Sequence, residues 1–256
     1  MRVPFFSQVL LFTEIELRKF RHDWIELVIR GVQPALWITV FGSVFRNIRG
    51  IHTPKGVDYM AFMTPGVIAQ SVLFISIFTG VAVLWERELG QLGRQLAAPV
   101  SRTAMALGRT CGTGIKGLLQ ALTVLALALA LRVSIVWHPL YLISVFVIVF
   151  GFATAFSSLA TFLALTLKTR ERVMATAQMV VMPLFFASNA IYPVELMPRW
   201  LQIISAVNPL SHVVSALRAL LVTEDLSTLP MDITLTFAWV VALNLLSALA
   251  FRRLEE

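Results

Sequence analysis

What this chain mostly lacks is charge. Only 14% of its 256 residues are Asp, Glu, Lys or Arg, and seven stretches (31–45, 59–85, 117–131, 133–167, 173–194, 200–217 and 233–251) contain none. With 58% hydrophobic residues and a mean hydropathy of +0.81, the chain has too little polar surface to coat a water-soluble globule. A helix rises about 1.5 Å per residue, so about 20 apolar residues cross the roughly 30 Å hydrocarbon layer. The uncharged stretches mostly supply that length, which makes this an all-α polytopic membrane protein.

Other absences exclude chemistry. Cys111 is the only cysteine, which rules out an intrachain disulfide and a thiolate metal framework. His22, His52, His138 and His212 lie in four different connections without metal-ligand spacing. No Gly-x-x-x-x-Gly-Lys-Ser/Thr loop is present to hold ATP, and no Gly-x-Ser-x-Gly turn to present a nucleophile. The uncharged stretches hold no acidic residue, and their only histidines, His138 and His212, fall in connections and not in spans, which argues against an ion-coupled carrier. Uphill movement of a solute would have to be driven by another subunit. The net charge of +7 sits in short clusters between apolar runs, a pattern that fits membrane orientation and not nucleic-acid binding. The N-terminal residues carry no apolar run of the kind that marks a cleavable signal.

What is present is an ordered series of helices. Residues 5–23 place Phe6, Val9, Leu10, Leu17 and Phe20 at mostly three- and four-residue steps, as an amphipathic helix in the membrane interface does. Six spans are expected at 24–45, 59–84, 110–131, 140–167, 173–191 and 233–251, within a single transmembrane domain covering 1–256. In the first, Glu26 and Arg30 are spaced to pair and Pro34 is placed to kink the helix. The stretch 200–217 is broken by Asn208-Pro209 and preceded by Pro193 and Pro198. Its pieces are too short to span, so 193–217 is expected to be a re-entrant hairpin anchored by Trp200. With both termini cytoplasmic, 15 of the 21 Lys and Arg residues fall inside, in keeping with the positive-inside rule.

The most informative polar segment is 85–102. Trp85, Leu89, Leu92 and Leu96 form one stripe, with Glu86, Glu88, Gln91, Arg94 and Gln95 away from it, so the spacing predicts a short amphipathic helix ended by Pro99. Trp85-Glu86-Arg87-Glu88-x-Gly90, running on to Leu96-x-x-Pro99-Val100-Ser101-Arg102, resembles the cytoplasmic coupling segment of permeases of the ATP-binding-cassette type-2 exporter family. Ala190-Ile191-Tyr192-Pro193, Met197-Pro198-x-Trp200-Leu201 and Asn208-Pro209-Leu210 resemble that family's signature before the last span. The order of elements is similar too, over nearly the full length, and the drug-resistance and nodulation lipo-oligosaccharide branches are the most similar.

The resemblance implies a pair of such subunits, likened to a homodimer, in a bacterial inner membrane, with two separate ATP-binding subunits docked beneath and Mg-ATP held by them, not by this chain. It implies export of an amphipathic or lipid-linked substrate, with Trp85, Glu86, Arg87, Glu88, Gly90, Leu92, Arg94, Leu96, Pro99 and Arg102 in the ATPase-coupling segment. Thr39, Ser43, Ser71, Ser76, Thr79, Ser188 and Asn189 are candidates for lining the pathway, although small hydroxyls also serve helix packing. Gly112, Gly114 and Gly117 are read as helix contacts. A polysaccharide O-antigen exporter, a membrane anchor and a lipid-modifying enzyme are the competing readings.

The charge asymmetry is directly testable. In a Cys111-free background in intact cells, a cysteine at position 55 is expected to react with an impermeant maleimide and one at position 253 to stay protected; the opposite pattern reverses the topology.

Overall fold

The computed structural model describes residues 4–21, 24–46, 57–167 and 169–253. The Glu26 side chain, and with it the expected Glu26–Arg30 pair, lies outside the described residues, as does most of the loop before residue 57.

Every regular element among the described residues is helical. The N-terminal helix α1 is Phe5–Arg21. A broken helix follows: α2 (Trp24–Leu36), one π-helical turn (Trp37–Phe41) and α3 (Gly42–Arg46). Pro34 removes one backbone donor inside α2, and a widened turn three residues later is a common way for a helix to absorb such a defect. The path from Trp24 to Arg46 still measures about 34 Å at the α-helical rise.

The long helices are α4 (Tyr59–Glu88), α6 (Arg102–Ala130), α7 (Pro139–Thr166) and α11 (Leu229–Arg253), with α5 (Gln91–Leu96) between the first two. Helix α8 is Arg170–Phe186, interrupted by Pro183. A 3₁₀ turn (Val194–Leu196), α9 (Arg199–Val207), α10 (Pro209–Arg218) and a π-helical turn (Ala219–Thr223) complete the chain before α11. Helices α4, α6, α7 and α11 are long and apolar enough to cross a membrane, α11 by its Leu229–Ser247 portion. The α9–α10 unit, bent by 81°, would make a fifth crossing if counted as one span.

Helix α4 is the axis of the bundle. It packs against α7 and α6, while α11 covers α7 and α1 lies along α6. Its burial on all sides explains why its apolar residues show no helical face. In lipid, helices associate through close packing and not through exclusion of water, so small residues mark the contacts. A Cβ on Gly80 would lie 2.4 Å from Ala160 Cβ and 2.7 Å from the Ser157 carbonyl. One on Gly66 would lie 2.3 Å from the Ala190 carbonyl, fixing the connection after α8 against the outer part of α4.

Two expectations change. Residues 85–96 do not form one amphipathic helix: α4 continues through Glu88, Gly90 takes a left-handed conformation (φ 69°), and α5 begins afresh at Gln91. Leu92 is consequently buried while Trp85 and Leu89 are exposed, so the stripe is split by a turn that glycine adopts without strain. The hairpin is also unequal. Asn208 caps α10 by accepting from Leu210 N at 2.9 Å, with Pro209 in the first turn. Beyond that bend α10 is almost wholly buried, whereas α9 exposes Trp200, Ile203, Ile204 and Val207.

The contact at Gly80 sets the first expectation from the fold. Gly80→Ala should cost about 1–3 kcal/mol through overpacking and Gly80→Leu should prevent recovery of folded protein, whereas Gly93→Ala, where an added methyl meets nothing within 4 Å, should be neutral. Thermal unfolding in detergent followed by fluorescence-detected gel filtration separates the three.

Candidate functional site: a buried charge cluster joining four helices

Gly108 and Gly112 stand one turn apart on α6 and form a shallow groove. A Cβ at Gly108 would lie 2.5 Å from Phe12 Cβ, and one at Gly112 would lie 2.6 Å from Glu16 Cβ. Helix α1 therefore lies directly on the α6 backbone, and Thr13 donates to the Gly108 carbonyl at 3.1 Å. That approach carries Glu16 to Lys116, the next position along the same face of α6, where the ammonium donates at 3.2 Å. Lys19 bridges Glu16 at 2.9 Å and also pairs with Glu86 at the end of α4. The second Glu86 oxygen accepts from Arg109 of α6, and Arg109 donates to Gln95 of α5 at 2.6 Å.

Two carboxylates and three cations, drawn with Gln95 from α1, α4, α5 and α6, thus form one connected network. Glu16, Glu86, Arg109 and Lys116 are each no more than 8% exposed, so each ion depends on its partners to offset desolvation. Burial pushes the Glu16 carboxyl up, but Lys116, Lys19 and Arg109 together outweigh it and hold the group below its ordinary value. A further bond ties the segment down: the Gln8 amide oxygen of α1 accepts from Ser101 N at 2.7 Å, just before α6.

This placement revises the role of Glu86. It does not project from the surface but is the junction through which α1 and α6 are both held to α4. Of the residues assigned to the coupling segment, Trp85, Arg87, Glu88, Gly90, Arg94 and Pro99 are exposed and Arg102 is half-buried. Glu88 pairs with Arg170 at the start of α8, and the Arg170 guanidinium lies 5.9 Å from the Trp85 ring centre. The Leu96 side chain lies outside the described residues.

The hydroxyl candidates are not brought together. Thr39, Ser43, Ser76 and Thr79 donate to carbonyls three or four residues earlier in their own helices. Ser188 does likewise to Phe185 O and accepts from Ala190 N. Ser71 also bonds its own helix, yet it lines a cleft between α2, α4 and α6. Asn189 belongs to a second polar cluster: its side-chain amide nitrogen donates to Ser215 at 2.7 Å and its backbone carbonyl accepts from Arg218. Arg218 also donates to Phe62 O and lies 3.8 Å from the Phe62 ring centre. Gly112, Gly114 and Gly117 meet Glu16, Phe150 and Ala153 respectively, as helix contacts should.

Sequence reasoning used Lys19, Arg109 and Lys116 only to orient the chain and gave Glu16 no functional role. The available signal was the four-residue ladder Gly108, Gly112, Lys116 opposite Phe12 and Glu16.

Comparison with known proteins gives the context for this geometry. The family model for the ABC-2 type transporter matches residues 7–222. Among curated proteins, the chain is 29% identical over 200 residues to a putative transport permease, ycf38, of Cyanophora paradoxa (77% of this chain, 68% of that protein). It is 26% identical over 202 residues to the daunorubicin resistance ABC transporter permease protein DrrB1 of Streptomyces coeruleorubidus (79% and 70%). It is also 25% identical over 210 residues to the inner membrane transport permease YadH of Escherichia coli K12 (79% and 78%).

Neutralising one member of the cluster should strand its partner. Glu86→Gln is expected to lower stability by about 3–5 kcal/mol, as breaking a buried ion pair does; a change under about 1 kcal/mol in detergent melts would contradict the burial described here. Acid should act similarly through Glu16. Its folded-state pKa is depressed, so its contribution is present above the ordinary value of 4.5 and is lost as pH falls through the lower folded value. Glu16→Gln should flatten that part of the pH–stability curve.

Proposed function

The chain belongs to the ABC-2 type transporter family, and from that premise we propose that it is the permease of an exporter, six spans per subunit and both termini cytoplasmic, working as a homodimer in a bacterial inner membrane. Two separate ATP-binding subunits bind and hydrolyse Mg-ATP, and this chain forms the path for an amphipathic or lipid-linked substrate. In that count the broken α2–α3 unit and α8 with its following turn join α4, α6, α7 and α11 as spans, and the 193–217 segment caps the outer side. The name of the Streptomyces relative supports an amphipathic cargo.

The observation that carries the reading is the mounting of α5. Its outer side, with Gly90 and Arg94, is exposed, while Leu92 is buried and Gln95 accepts from Arg109 inside the charge cluster. A push on α5 is therefore delivered at once to α1, α4 and α6. An isolated surface helix would dissipate the same push in the headgroup layer.

The reading is tested by purifying the chain with its ATP-binding partner and reconstituting both. Gln91→Glu and Arg94→Glu, both on the exposed side of α5, should leave the melting temperature of the permease unchanged while lowering substrate-stimulated ATP hydrolysis at least about tenfold, since misplaced interface charge costs a few kcal/mol. Normal stimulation in both variants would remove α5 from the docking surface.

A further inference from the structure

At the bend between α9 and α10 the fold brings together a buried pair whose members lie 20 residues apart in sequence. His212 of α10 and Asp232 of α11 are 8% and 6% exposed, and His212 Nδ1 lies 2.9 Å from Asp232 Oδ1. The other ring nitrogen, Nε2, lies 3.0 Å from the Ala206 carbonyl of α9, across the 81° bend. Both ring nitrogens therefore face acceptors. A neutral imidazole has one N–H and one lone pair, so in either tautomer it would set a lone pair against the carboxylate or against the carbonyl. Only the doubly protonated ring satisfies both. The carboxylate depends on that ring in turn, because Asp232 Oδ2 has no hydrogen-bond donor and the Thr236 hydroxyl, one turn along α11, is likewise unbonded.

Among the described residues on the helices packed around α10, Asp232 is the one charged group that acts on the ring. Tyr59 of α4 donates to the Ile191 carbonyl, Tyr141 of α7 packs against His138, and Arg199 opens α9. Glu86, Arg87 and Glu88 of α4 and Arg170, Glu171 and Arg172 of α8 gather at the opposite end of the bundle. Arg252 and Arg253 stand about 30 Å along α11 from Asp232. Arg218, later on α10 itself, is engaged by the Phe62 and Asn189 carbonyls. Helix α9 has few other ties to the bundle: Ser205 bonds Ser211 at 2.9 Å, while Trp200, Ile203, Ile204 and Val207 are exposed. Removing one proton from His212 thus withdraws a bond that α9 can hardly spare, or leaves a buried carboxylate unpaired, which is costly.

We propose that His212 and Asp232 form a proton-binding site that latches α9 to the bundle: the doubly protonated ring holds the bend closed, and loss of one proton releases α9. The tie is complete while the ring is charged and is lost as pH rises. The proposal rests on the outer-cap reading of 193–217 for its purpose, an exit sensitive to external pH, but not for its test. Ile203 of α9 and Trp239 of α11 line one cavity of ≈ 460 Å³, so a bimane on Ile203→Cys, in a Cys111→Ser, Trp200→Phe background, reports their proximity through quenching by Trp239. The full-length labelled chain in nanodiscs is titrated from about pH 5.5 to about pH 9.5, across the ordinary imidazole value of about 6.5. Quenching should be present at the acid end and be lost in a single one-proton transition. His212→Gln should abolish that transition, and Trp239→Phe should remove the quenching. Asp232→Asn should move the midpoint to lower pH by about one unit or more, a shift that a merely structural pair would not produce. His138→Gln should leave it in place. A flat titration of the parent, the same transition in His212→Gln, an unmoved midpoint in Asp232→Asn, or a transition that follows His138 would overturn the proposal. The titration needs neither substrate nor ATP-binding partner, so it and the export test can fail separately.

Discussion

Arg109 and Lys116 stand on a helix whose continuation beyond them is apolar, and the inner half of the bundle is organised by the need to keep them paired. Removing such ions from water costs several kcal/mol each, recovered only with good geometry and complete hydrogen bonding. Glu16 and Glu86 provide it, but only because α1 lies on the α6 backbone and α4 runs four residues past Leu84 to bring Glu86 within reach. The amphipathic N-terminal helix is therefore more than a float at the interface. It supplies one carboxylate and one bridging ammonium, and its departure would leave Lys116 without its Glu16 partner.

The same small-residue chemistry recurs higher in the bundle. Gly108 and Gly112 admit α1, Gly117 admits Ala153 of α7, Gly80 admits Ala160, and Gly66 admits the Ala190 backbone. In each case a missing Cβ lets one backbone approach another, which in lipid replaces the hydrophobic drive available in water. Contacts this close leave little room for sliding. Helix α4, α7 and the segment after α8 are thereby held together as one closely packed unit.

Much of this was legible in the sequence, and the remainder failed for identifiable reasons. Long uncharged stretches marked the four helices that are long and apolar enough to cross a membrane, because lipid imposes a length that no tertiary contact overrides. Pro34 announced the defect in the first span, and Asn208-Pro209 announced the bend before α10. The 85–102 segment misled because its stripe of Trp85, Leu89, Leu92 and Leu96 has good helical spacing, whereas Gly90 uses its freedom at positive φ to end α4. Glu86 looked like a surface acid because its partners are 67 and 23 residues away in sequence, a separation that periodicity within one helix cannot register. The hydroxyls are hard to read for a simpler reason: a buried serine or threonine in a helix can satisfy itself on the preceding turn, so its presence carries little information about what it faces.

The outer end repeats the inner logic with different partners. Arg218 is buried where α10 ends, and it is satisfied by the Phe62 carbonyl in the first turn of α4, the Asn189 carbonyl in the α8–α9 connection and the Phe62 ring. His212 meets Asp232 at 2.9 Å and the Ala206 carbonyl at 3.0 Å, tying α10 to the start of α11 and to the end of α9. Asn208 donates to Leu184 O at 2.7 Å, so α8 is held as well. Irregular backbone at membrane depth survives only when protein covers and satisfies it, and these bonds are how the 81° bend does so. The inner cluster is built from ions and the outer one from backbone carbonyls read by side chains.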